Sequence, residues 1–152
     1  MIDFHQDSAE EELKRADHLI YVTLKYVRTA EVIKNAIKRL ITAFDLKIIE
    51  ALEYGKNLKK IKSVPLTPKD RCDTLVKVIR GDEIKAFIEF YGLLKKIDKV
   101  DFMSKSEYRK HVTLIAETDE RKYVEVNIEE LKQYFNKTQD FISFINNWMI
   151  GK

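Results

Sequence analysis

Residues 21–29 read Tyr-Val-Thr-Leu-Lys-Tyr-Val-Arg-Thr, and whether a helix survives this stretch decides the architecture of the chain. On its N-terminal side, Ser8 is a good helix cap with Glu11 at the third helical position, and Glu10, Glu11 and Glu12 suit the positive end of a helix dipole. Leu13, Ala16, Ile20, Leu24 and Val27 then recur at spacings of three and four. On its C-terminal side, Ile33, Ile37, Leu40, Phe44, Ile48 and Ala51 continue the same period, and Gly55 is the natural residue just past a helix end. No Gly or Pro lies between Ser8 and Gly55. Two readings compete. An unbroken helix would be a rod of about 69 Å needing a second chain to cover it. A turn at Thr29 would give an antiparallel helical hairpin over residues 8–55, which the β-branched residues of the quoted stretch favour.

Beyond Gly55, residues 56–66 form a basic connector. Thr67-Pro68 is a helix start, cap followed by Pro at the first helical position, and Gly81 is a stop within a helical region spanning 67–99. The period changes at His111–Glu117 and Tyr123–Val126, where β-formers alternate around a polar turn, so a short β-hairpin is expected at about 111–126. Asn127 with Glu130 then opens a C-terminal helix over 127–149. The expectation is one domain: a mostly α-helical bundle of about five helices with one β-hairpin before the last.

The 152 residues are 45% hydrophobic and 35% charged, with four Gly and two Pro, which argues against a loop-rich β-sandwich and a disordered linker. The start, Met1–Asp7, has no basic n-region or apolar run of a secretory leader, and no uncharged stretch reaches membrane-spanning length. A cytoplasmic protein with no membrane partner is expected.

The last helix carries two apolar stripes. Ile128, Leu131, Phe135, Thr138, Ile142, Ile145 and Met149 form one, and Tyr134, Phe141 and Trp148 form a second with a repeat of seven. Two stripes exceed what one bundle contact requires. Either both stripes belong to one broad core face, or the aromatic stripe of Tyr134, Phe141 and Trp148 meets a second subunit as a dimer interface. On the second reading a non-catalytic, homodimeric interaction or assembly module is the leading function.

Charge is uneven. Residues 1–55 carry −2, residues 56–110 carry +7 and residues 111–152 carry −2. Lys56, Lys59, Lys60, Lys62, Lys69 and Arg71, continuing to Lys77 and Arg80, face only Asp70 and Asp73. Such a cluster is either a solvated lysine-rich surface or a site for phosphates, and on the second reading nucleic-acid (RNA) binding through residues 56–80, with Arg109 and His111 as additions, is the alternative function. Lys outnumbers Arg there, and no aromatic residue lies between Lys56 and Arg80 to stack on a base.

Other chemistries find little support. His5, His18, His111 and Cys72 have no metal-ligand spacing, glycine-rich phosphate loops are missing, and Cys72 sits mid-helix as a small packing residue, so neither metal nor cofactor is expected. Tyr108-Arg109-Lys110-His111 alone gathers groups able to hold a phosphate and move a proton. An enzyme is thus the less favoured class.

The cap Ser8-Ala9-Glu10-Glu11-Glu12, then Leu13-x-x-Ala16, then the apolar second helix ending at Gly55 resembles the opening two helices of HEPN domains. The resemblance covers about a third of the chain. It implies a small helical bundle, often a dimer, of the kind found in prokaryotic defence and toxin–antitoxin systems. The family's ribonuclease signature, an Arg and a His separated by four to six residues, is missing: Arg15 and His18 have two between them, Arg109 and His111 one. The resemblance therefore implies a non-catalytic member.

Overall fold

The computed structural model describes residues 8–151; residues 1–7, with the leader reading that concerns them, and 152 lie outside the described part. Helix α1 starts on Ser8, whose side chain accepts from the Glu11 N–H at 3.1 Å. It runs as an α-helix over Ala9–His18, passes through a π turn at Leu19–Thr23 and closes with one turn at Leu24–Tyr26. Val27 is extended, and Thr29 caps helix α2 (Ala30–Asn57) by accepting from Val32 N–H at 3.2 Å. The quoted stretch therefore breaks, and the hairpin is the structure. Two influences end α1 there. The β-branched residues lower helix propensity, and the Glu107 carboxylate, far away in sequence, accepts from Ala30 N–H at 3.3 and 3.4 Å.

The hairpin is tied by charge as well as by apolar packing. The buried Glu12 carboxylate accepts from Arg15 at 2.7 Å and Arg39 at 3.2 Å. Lys47, only 1% exposed, reaches Glu10 at 3.0 Å, Glu50 at 2.8 Å and Asn146 at 2.8 Å. These three acceptors satisfy all three protons of the ammonium, the condition for burying such a charge.

Helix α2 is the central pillar, burying Ile33, Ile37, Leu40, Phe44, Ile48 and Leu52. Gly55 is not the residue past its end, as the sequence suggested. It is buried within the last turns, with Val78 3.7 Å from where a Cβ would stand, and the helix continues to Asn57. Lys59 takes the left-handed conformation there instead (φ 64°), while Lys60 N–H returns to the Gly55 carbonyl at 2.9 Å, a Schellman closure. Gly55 lets a neighbouring helix approach rather than ending its own.

Helix α3 (Pro68–Ile79) is capped by Thr67, which accepts from Asp70 N–H at 3.2 Å. Arg80 and Gly81, both at positive φ, turn the chain into helix α4 (Asp82–Lys99). The expected hairpin exists as β2 (Thr113–Asp119) and β3 (Lys122–Asn127), but it is two strands of a three-stranded antiparallel sheet. Strand β1 (Phe102–Lys105) adds on the other side of β2, with Phe102 opposite Ala116 and Lys105 opposite Thr113. Four residues of mixed polarity carry no readable alternation, and β1 is created by its partner. Helix α5 (Ile128–Met149) starts on Asn127, whose side chain accepts from Glu130 N–H at 2.8 Å.

The aromatic stripe of α5 does not form a free face. Phe141 is fully buried, stacked on Phe44 at 4.4 Å between ring centres with 14° between planes, and Tyr134 is 6% exposed against Phe90. Phe44 also stacks on Tyr91 at 5.4 Å, so α2, α4 and α5 meet in one aromatic knot. Only Trp148 remains half-buried, beside Tyr54. A second apolar stripe is needed because α5 touches both α2 and α4, and a helix wedged between two neighbours buries two sides. As placed, Tyr134 and Phe141 cannot meet a second subunit.

Candidate functional site

The basic segment folds into a groove. The Schellman turn at Leu58–Lys60 reverses the chain after α2, and the connector then lies along α3. Between them is a depression of about 610 Å³ lined by Lys60, Ile61, Thr74, Lys77, Val78 and Arg80. Ile61 and Val78 make an apolar floor, three cations stand on the walls, and none of the lining residues is acidic. Arg80, at φ 62°, is held at the rim by an Nε–H bond to the Lys77 carbonyl at 3.4 Å. The Lys60 ammonium lies 5.6 Å from the Trp148 ring centre, and that indole packs at 5.3 Å from Tyr54.

Of the residues the sequence marks in this segment, Lys56, Lys59, Lys60 and Lys62 cluster at the α2 end and its turn, all exposed, and Lys69 is exposed in the first turn of α3. Arg71 has another task. Its Nε–H donates to the Pro65 carbonyl at 2.9 Å and a second nitrogen to the Leu66 carbonyl at 3.1 Å, so it clamps the connector. The missing aromatic is supplied from elsewhere: Trp148 comes from the last turn of α5, 68 positions after Arg80 in the chain. Nothing in the local sequence announces that meeting.

Arg109 and His111 do not join this groove. They sit in the turn before β2, which docks onto the junction of α1 and α2 through Tyr108 N–H bonded to the Arg28 carbonyl at 2.6 Å. His111 lines a separate cavity there with the N-terminal turn of α5, and Arg109 does not line it. The groove lies beside Trp148, about 30 Å along α5 from that first turn. Glu129 shares the cavity with His111, but among the described residues no acidic group gathers with both Arg109 and His111 in one pocket.

A third polar cluster involves Tyr91, whose hydroxyl donates to the Asp45 carboxylate. Burial raises the Asp45 pKa above its ordinary value despite that bond and the nearby Lys95 and Arg71 charges. Burial also raises the Cys72 thiol, which keeps it protonated and fits the packing role expected of it. Among the described residues no three His, Cys, Asp or Glu side chains gather in a metal-holding group, and no helix is long and apolar enough to cross a membrane. No family model, curated protein or solved structure matches this chain.

Proposed function

We propose that this chain is a non-catalytic binding module for nucleic acid, single-stranded RNA in first place, held at the groove between the connector and α3. The observation that supports it is the acid-free wall of Lys60, Lys77 and Arg80 with a half-buried indole alongside. Phosphates on those cations release counterions, and a base can stack on Trp148, the two terms that hold single strands without sequence readout. The likeness of residues 8–55 to HEPN domains belongs to the same reading, with Arg15 engaged by Glu12 and His18 exposed on α1. So does a cytoplasmic setting.

The test is fluorescence anisotropy with a labelled oligouridine of about 12 nucleotides. Lys60→Glu with Lys77→Glu is expected to weaken binding by roughly tenfold or more and to shrink the salt slope by about 2. Trp148→Ala is expected to cost about 1–3 kcal/mol at any salt concentration. Binding untouched by both variants, or no binding at low salt, rejects the reading.

Homodimeric assembly is the second reading, and it rests on another surface. Val22, Tyr26 and Val27 at the end of α1 are 43%, 83% and 44% exposed, more apolar surface than an isolated helix end needs.

A further inference from the structure

The cavity at the π turn is a second site with its own chemistry. It encloses about 390 Å³ between the end of α1, the turn before β2 and the first turn of α5. Four cations line it, Lys25, Arg28, Lys110 and Lys132, with His111 beside them and, among the described residues, Glu129 as the only carboxylate. Glu129 is already engaged, since Lys132 lies 3.6 Å from it. Among the described residues no carboxylate pairs with Lys25, Arg28 or Lys110. Like charges gathered in a concavity repel one another, and an anion relieves that repulsion.

Most of the remaining wall is apolar, with Asn127 its polar member. Ile20 and Leu24, 2% and 1% exposed, bring apolar side chains to it. Tyr21 stands at the side, held edge-on by Phe135 at 6.0 Å and covered by the Lys132 ammonium at 5.4 Å. The π turn contributes directly: Leu24 N–H skips to the Leu19 carbonyl, five residues back, and Ile20, Tyr21 and Leu24 all belong to this widened stretch. A π turn weakens helix geometry, and such turns recur where a helix must present side chains to a ligand.

We propose that this cavity binds a nucleotide, its phosphate among Lys25, Arg28 and Lys110 and its base against Tyr21. The volume falls within the range of small-molecule pockets. Cations alone would suit any anion, and the adjoining Tyr21 ring selects one that carries a flat ring. The inference stands independently of the groove at the far end of α5.

The experiment is calorimetric titration of the full chain with adenosine 5′-monophosphate, inorganic phosphate and adenosine in parallel. The nucleotide is expected to bind at least roughly tenfold more tightly than either fragment. Lys25→Glu with Lys110→Glu, both exposed, is expected to lower nucleotide affinity roughly tenfold or more with the thermal melt unchanged. Tyr21→Ala is expected to bring the nucleotide toward the affinity of phosphate alone. The groove variant Lys60→Glu, Lys77→Glu is expected to leave all three titrations as they were, whatever it does to oligouridine. No heat with the nucleotide at millimolar concentration overturns the proposal. So does equal affinity for nucleotide and phosphate, or nucleotide binding that disappears with the groove variant and survives the cavity variant.

Discussion

Phe141 shows what one residue's surroundings decide. On the sequence it is an aromatic at a seven-residue repeat, which a core face or a dimer seam can both hold. In the fold it fills the knot between Phe44 and Phe87, with no exposed surface. Phe141→Ala is therefore expected to destabilise the chain by about 3–5 kcal/mol in urea denaturation, the cost of losing a buried ring and leaving a cavity. A loss below about 1 kcal/mol would contradict the packing. Arg71 makes the reverse point. A cation counted with the phosphate-binding set proves to be a connector clamp, since two carbonyls lie within its reach and no local rule foretells them.

At the scale of elements, caps and stops were legible where they are local. Ser8, Thr67 and Asn127 all cap as their spacing predicts, because a side chain reaching three residues along the chain needs no tertiary partner. Thr29 does the same for α2, and Thr29→Ala is expected to cost about 1 kcal/mol, with amide exchange accelerating first at Ala30–Ile33. The place of Gly55 and the existence of β1 escape the sequence for one shared reason. A glycine buried for a neighbour looks the same in sequence as a glycine ending a helix, and a four-residue strand exists only through its ladder with β2. The α1–α2 break lies between these cases. Its β-branched residues are visible locally, whereas the Glu107 carboxylate on the Ala30 N–H is not.

Over the whole molecule, burial of Tyr134 and Phe141 removes them from any contact with a second copy, and the proposed assembly reading turns instead to the exposed Val22, Tyr26 and Val27 at the end of α1. Light scattering at micromolar concentration is the check on the assembly reading. A mass near twice 18.0 kDa that falls to that of one chain with Tyr26→Glu and Val22→Glu is the expected outcome if that surface pairs. The same mass in the variant would reject that interface. Charge organises the molecule differently from the apolar surface. The central excess of +7 does not form one patch: Lys60, Lys77 and Arg80 go to the groove, while Lys110 goes to the cavity at the opposite end of α5 and meets Lys25, Arg28 and Lys132 from segments that look neutral or acidic overall.

By itself the sequence determined the helix-rich class, the positions of most caps, the hairpin strands and the apolar face of α2. These follow from short-range periodicity and from side chains that bond within a few residues. Packing alone settles that α5 is buried on two sides, that Trp148 stands beside Lys60, and that cations from three segments line one cavity. Each of those depends on contacts between residues tens of positions apart, and their geometry is set only when the helices pack.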